Sequence, residues 1–270
     1  MSWRWNTSPS LIGMLLVVAV LYRLCVVLAR KRLAPPETPF PAREALWFDG
    51  ALVLFYLAVG SPLDEMSERF LFSAHMIQHT LLIFILPIML LKGIPAWMLQ
   101  PLVDNRWLRY FTRVLGHPLS ALLGFNLLFA LWHIPGLYEW ALRDRRVHEL
   151  EHVTFVLGGV WMWWPIFCPR PEFRLGYGLQ MLYAFALSVT QIPMFAFLVF
   201  TPSVLYPTYN GAPRLVQILP PIEDQVMGGI IMKVVGEAFF LGIIIVALME
   251  WYRRDKYVPP PKRAPVPAPD

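Results

Sequence analysis

Apolar runs separated by short stretches of Pro, Gly and charge set the pattern of this chain. A membrane-spanning helix needs about 20 mainly apolar residues, within a range of roughly 17–25. Seven segments reach or approach that length: 10–28, 45–59, 70–91, 118–134, 147–167, 179–200 and 226–251. The second is short at its core, and its helix is expected to start earlier, near Ala42. Breaks fall at Ala34-Pro35-Pro36, Ser61-Pro62, Gly93-Ile94-Pro95, Pro169-Arg170-Pro171 and Pro220-Pro221, residue types that punctuate helices. No internal repeat is visible, so an inverted-repeat transporter is not suggested. The pattern predicts an all-α fold, a polytopic membrane helix bundle with seven transmembrane helices across residues 1–257. A proline-rich tail, residues 258–270, follows and is expected to be disordered and cytoplasmic.

Composition agrees with the pattern. Hydrophobic residues make up 57% of the 270 and charged residues 15%, whereas a soluble domain carries about 25% charge. Mean hydropathy is +0.52. These values exclude an ordinary cytosolic enzyme, a disordered chain and a nucleic-acid-binding one. The net charge of +5 is sorted by loop rather than spread over one basic face. Lys and Arg gather on the cytoplasmic side of membrane proteins. Of the 23 basic residues, 15 fall in loops 30–43, 92–113 and 170–174 and in the C-terminal segment. Six lie in the alternate loops (Arg4, Arg69, Arg143, Arg145, Arg146 and Arg214), and Arg23 and Lys233 lie inside runs. The N-terminus is therefore expected outside and the C-terminus inside, although the Arg143–Arg146 group opposes that sense.

Cys25 and Cys168 are the two cysteines, too far apart for a CxxC motif and too few for a disulfide framework. Both are expected to be buried small residues. The first run contains Arg23 and ends in Arg30-Lys31-Arg32 instead of a small-residue cleavage site, so it is expected to stay attached as a membrane helix.

Given that orientation, five of the six histidines collect near the outer face. His75 and His79 lie in the outer half of the third run, His133 at the outer end of the fourth, and His148 and His152 open the fifth. His117 alone lies on the cytoplasmic side, where an interfacial, inert role is expected. Residues four apart share a helix face, so His75/His79 and His148/His152 are candidate chelating pairs. Imidazole suits zinc, copper, iron and nickel, and thioether sulfur favours Cu(I). Met76 is expected to approach the His79 face, and Met194, Met227 and Met232 lie in outer halves of their runs. A single intramembrane histidine is commonly just hydrogen-bonded to a neighbour. Two pairs and a fifth ring point instead to a metal or haem site, because ionisable groups within spans are costly. A rise of 1.5 Å per residue puts His79 about 10 Å deeper than His148, so one site using all five is not expected. A core of His79 and His152 with His75 or His133 is expected instead. Glu149 and Glu151 either orient imidazoles or are solvated carboxylates at the helix start, the commoner case.

Four further features complete the reading. Lys233 and Glu237, four apart, are expected to form an ion pair, structural or part of an ion path. Asp224, before Gln225, suits the start of its own helix and is a candidate to face the histidines. Trp132, Trp140, Trp161, Trp163 and Trp164 are expected to form an interfacial belt. Gly228-Gly229 permits close helix packing.

Four stretches together resemble the CtaG family of cytochrome c oxidase assembly factors, the multi-spanning type associated with caa-type oxidases. They are Ser61-Pro62-Leu63-Asp64 leading into Phe72-Ser73-Ala74-His75-Met76-Ile77-Gln78-His79, with Pro87 and Gly93-Ile94-Pro95; Trp132-His133-Ile134-Pro135 with Tyr138; His148-Glu149-Leu150-Glu151-His152 with Phe155; and Asp224-Gln225 before Gly228-Gly229-Ile230-Ile231-Met232. Lys233 stands where the family pattern leads one to expect an aromatic residue. The resemblance implies a multi-pass protein of a bacterial cytoplasmic membrane that helps a haem–copper oxidase mature and is not itself an enzyme. It implies copper delivery to the oxidase; a copper-binding metallochaperone would use the histidine cluster, with His75, His79, His133, His148, His152 and Met76 as the candidate ligands. The implied partners are the oxidase catalytic subunit, other copper chaperones and membrane lipid, with no nucleic acid. The single-span copper chaperone that shares the CtaG name uses cysteines, and no such pair exists here. Two other readings remain open at this level: a haem protein with bis-histidine ligation, and a ligand-free scaffold or transporter.

Overall fold

Proline and charge cut the chain where its helices end, and a computed structural model places helix in every run the pattern marks. The structure describes residues 5–213, 215 and 219–256; the expected disordered tail, 258–270, lies outside the described residues. Every regular element described is helical. In chain order these are α1 (Pro9–Leu33), α2 (Ala42–Val59), α3 (Pro62–Arg69) and α4 (Phe72–Thr80), which passes through a π-helical turn, Leu81–Ile85, into α5 (Leu86–Lys92). Then come α6 (Gln100–Asp104), α7 (Arg106–Leu115), α8 (Pro118–Trp132), α9 (Pro135–Arg143) and α10 (Arg145–Phe167). The last are α11 (Tyr177–Thr190), α12 (Ile192–Phe200), α13 (Pro207–Asn210) and α14 (Pro221–Lys256). The second run does begin at Ala42, as expected.

Four stretches are long and apolar enough to cross a membrane: Pro9–Leu33, Phe72–Lys92, Tyr177–Phe200 and Pro221–Asp255. Two bent pairs, α2 with α3 at 44° and α7 with α8 at 57°, raise the number to six if each pair is one span. The remaining predicted run is α10. Its 23 residues give about 35 Å at 1.5 Å per residue, ample for a bilayer core of about 30 Å. Yet Arg145, Arg146, His148, Glu149, Glu151 and His152 fill its first two turns, and it is not among the apolar spans. The residues that lower its hydropathy are those that build the site. Short α3, α9 and α13 were not foreseen; each opens on proline in its first turn (Pro62, Pro135 and Pro207), where a missing N–H costs nothing.

The core lies where α4–α5 and α10 meet α8, α9, α11 and α14. Phe72, Met76, Phe125, Phe155, Trp163 and Phe240 are among its fully enclosed side chains. Large apolar side chains such as Leu16, Leu127, Leu182 and Val234 face outward, the pattern of a surface solvated by lipid. Gly228 meets Phe72 so closely that a Cβ there would lie 2.4 Å from its ring, which is the close packing expected of Gly228-Gly229.

One device sets the register of α4–α5 against α10. Pro87 has no N–H to give the carbonyl of Ile83, four residues earlier. The helix takes up the mismatch as the π-helical turn, and Trp163 of α10 donates its indole N–H to that Ile83 carbonyl at 3.0 Å. Gly159 lets α10 approach: a Cβ there would lie 2.5 Å from Pro87 and 2.8 Å from the Ile83 oxygen. Trp163 and Trp132 are thus buried hydrogen-bond donors rather than belt residues, while Trp140 is exposed. Of the cysteines, both free, Cys168 is buried as expected but Cys25 is exposed on α1, because that helix turns most of its surface outward.

Candidate metal centre

Because α4–α5 and α10 run side by side in one direction, His75 faces His148 as Ile83 faces Trp163. Ring centroids are 4.2 Å apart for His75/His79, 4.1 Å for His148/His152, 5.3 Å for His75/His148 and 6.0 Å for His79/His152. His133, at the C-terminal end of α8, lies 6.3 Å from His79. All five are buried. The depth difference is smaller than the spacing suggests, although no one group of ligand atoms takes in all five rings: α10 begins three residues before His148, and α4 seven before His79. That difference corresponds to about 6 Å of rise, which neighbouring side chains span.

Hydrogen bonds set the ring tautomers. The His133 Nδ1 lies 2.7 Å from the Phe129 carbonyl, an acceptor only, so it carries the proton and leaves Nε2 with a free lone pair. The His148 Nδ1 lies 2.9 Å from a Glu68 oxygen, with the same result when that carboxylate is ionised. For His75 the fixing groups are two tyrosines. Tyr209 donates to the Ser67 carbonyl at 2.7 Å, so its oxygen is free to accept the His75 Nδ1–H at 2.9 Å and the Tyr138 hydroxyl at 3.0 Å. The Tyr138 oxygen also lies 2.8 Å from Nδ1; with the proton on Nδ1 both hydroxyl oxygens can accept it, and Nε2 is left free. Holding the distal ring nitrogen in this way is how proteins orient imidazole toward a metal.

Into this chamber points Glu151, whose side chain is 0% exposed. Its oxygens lie 3.6 Å from His79 Nε2 and 4.0 Å from His75 Nε2. Neither oxygen has a hydrogen-bond partner, and neither do the Nε2 atoms of all five histidines or the Nδ1 of His79. Each unpaired buried polar group costs about 1–3 kcal/mol, a cost that an ion or waters held among them would offset. Two groups have ligand atoms within 4.8 Å of one another: His75, His148 and His152; and His75, His79 and Glu151. The residues fit a metal ion.

The flanking acids divide. Glu149 is exposed and pairs with Arg145, while Glu151, three residues from His148 and so on its face, enters the chamber. Sequence reasoning weighed the two alike and missed that spacing. It also missed Glu68, Tyr209 and the role of Tyr138; Tyr209 and Glu68 reach the cluster from α13 and α3, and no local pattern announces them. Met76 lies on the α14 side of α4, its Cγ 3.0 Å from a Cβ built on Gly228. Asp224 neither caps its own helix nor faces the rings. Its carboxylate accepts the Phe72 and Ser73 amides at 2.6 and 3.2 Å, capping α4 from across the bundle. Gln78 donates to the Ala58 carbonyl and to Asp64 and accepts from Ser67, tying α4 to α2 and α3. His117 accepts the Leu119 amide at the start of α8. Lys233 and Glu237 do pair, at 2.5 Å, with Ser188 donating to the same carboxylate.

Comparison with known proteins bears on the whole arrangement. An uncharacterized protein of Mycobacterium bovis and another of Mycobacterium tuberculosis are each 25% identical over 278 residues, covering 95% of this chain. The chain spans about 40% of the length of these curated relatives. No solved structure matches. A family model described as the cytochrome c oxidase caa3 assembly factor matches residues 20–254, the stretch holding every side chain of the cluster, and the chain belongs to that family, Caa3_CtaG.

Proposed function

We propose that this protein binds copper in the histidine chamber and delivers it to the catalytic subunit of a caa3-type cytochrome c oxidase. The observation that carries the reading is the convergence of five buried imidazole Nε2 atoms and a buried carboxylate, none with a protein partner. The family assignment supplies the client. His75, His148 and His152 are the primary ligands, with His79, Glu151 and His133 beside them; Met76 stays outside, because its side chain lies toward Gly228. The role is that of a carrier, without catalysis, and other copper chaperones are candidate donors of the ion.

Copper here is cargo, so the site must release it. His148 is the natural exchange ligand. Its Nδ1 is held by Glu68, whose side chain is 36% exposed, so this edge of the chamber is the one nearest solvent. The reading takes α10 as a seventh span and follows the distribution of Lys and Arg, N-terminus outside and C-terminus inside a bacterial cytoplasmic membrane. The Glu68 edge then opens on the extracytoplasmic surface. Bis-histidine haem ligation is less well supported, since rings packed tilted or edge to face at 4.1–5.3 Å leave no slot for a planar macrocycle.

Elemental analysis of detergent-purified protein tests the proposal. The wild type should carry copper, and the paired change His75→Ala with His152→Ala should remove it and lower the copper content of the co-expressed oxidase. A copper-free wild type, together with an oxidase whose copper is indifferent to those changes, would refute it.

A further inference from the structure

We infer that the chamber takes two copper ions, bridged by the Glu151 carboxylate. The inference rests on the metal-binding reading above and adds the number of ions and their arrangement. Two ligand groups are present, and they share only His75. The His75 Nδ1 is occupied by the tyrosine hydroxyls, so this ring has one nitrogen to give and can complete only one group. If Nε2 joins His148 and His152, then His79 and Glu151 form the core of a second position. The His133 Nε2, freed by the bond of its other nitrogen to Phe129, faces that position from α8.

The carboxylate geometry argues the same way. At metal–ligand bonds of about 2.0–2.1 Å, two donors on one ion stand roughly 3.3–4.1 Å apart. The Glu151 oxygens stand 4.0 Å from His75 Nε2 and 3.6 Å from His79 Nε2. The carboxylate thus lies between the two imidazoles, one oxygen nearest each, placed to bridge an ion on His75 to an ion on His79. The number of donors agrees. One tetrahedral ion uses about four ligands, whereas six side chains aim unpaired atoms into this space. A single ion would leave the others buried and unsatisfied. Charge selects the oxidation state. Among the described residues Glu151 is the one carboxylate inside, Glu68 stands at the rim on His148, and an oxygen of Asp64 is taken by Gln78. Uncompensated buried charge is expensive, so two monovalent ions fit this balance better than two divalent ones. The ligand class is a pair of Cu(I) ions.

The test loads purified full-length protein with Cu(I), supplied as its acetonitrile complex under nitrogen, and counts bound copper per chain after desalting. Wild type should retain two equivalents and give a copper–copper scattering path in X-ray absorption. His79→Ala should retain one equivalent and lose that path. One equivalent in the wild type without the path overturns the second ion and leaves the mononuclear reading standing. No bound copper overturns both. Two equivalents retained by His79→Ala would put the second ion elsewhere and overturn the bridge. The absorption measurement on wild type decides the matter even if the variant fails to fold.

Discussion

Which nitrogen of His75 faces the chamber is decided by a hydroxyl 134 residues away. The Tyr209 proton is committed to the Ser67 carbonyl, so its oxygen can accept from His75 and keep Nε2 free for a metal. Tyr209→Phe removes that acceptor and leaves Tyr138, whose hydroxyl can then donate to Nδ1 and drive the ring's proton to Nε2. Copper affinity should fall about 10–100-fold, the usual effect of losing a partner behind a metal-bound histidine, as read in a competition titration with a coloured Cu(I) chelator. A helix content unchanged by circular dichroism would separate this from unfolding. Four of the histidines were legible because a spacing of four is visible in a linear sequence, and His133 because it ends an apolar run at the same face. Glu151 was half legible, since its distance of three from His148 carries the information but Glu149 beside it looked equivalent. Tyr209 and Glu68 were not, because their partnerships join segments that only the tertiary fold brings together.

The helix pair α4–α5 and α10 meets at a defect. Pro87 frees the Ile83 carbonyl, and Trp163 captures it at 3.0 Å, about one turn beyond His79 on α4–α5 and about three beyond His152 on α10. Trp163→Phe keeps the ring and strands the carbonyl, which should cost about 1–3 kcal/mol. A lower melting temperature in detergent, with copper capacity reduced in step, is the expected outcome. Gly159→Leu should be worse, because Pro87 and the Ile83 backbone already touch that position and overpacking typically costs about 1–3 kcal/mol or more. Prolines told where helices stop but not how a proline inside a run is absorbed; the π-helical turn depends on a donor from another helix. Asp224 teaches the same lesson. A carboxylate at a helix start suggested a local cap, yet α4 opens on Leu71, which has no side-chain oxygen to offer, and Asp224 serves that end instead.

At the scale of the molecule, apolar run length located all seven helical segments, whereas composition alone credits only four to six of them as spans. The shortfall is α10, whose polar first turns are needed for the site. Orientation came from charge sorting, and reporter fusions at the C-terminus test it: a fluorescent protein should light up and alkaline phosphatase stay inactive, while the opposite pattern would turn the histidine end toward the cytoplasm. One more consequence follows from the packing beneath the cluster. Phe155, Met162, Trp163 and Phe240 are fully enclosed there and fill the interior of the bundle. Packed side chains thus close the cluster from below, and on the proposed reading a bound ion would enter and leave past Glu68. If two ions are held there, that single route would empty the pair in reverse order of arrival, last in and first out.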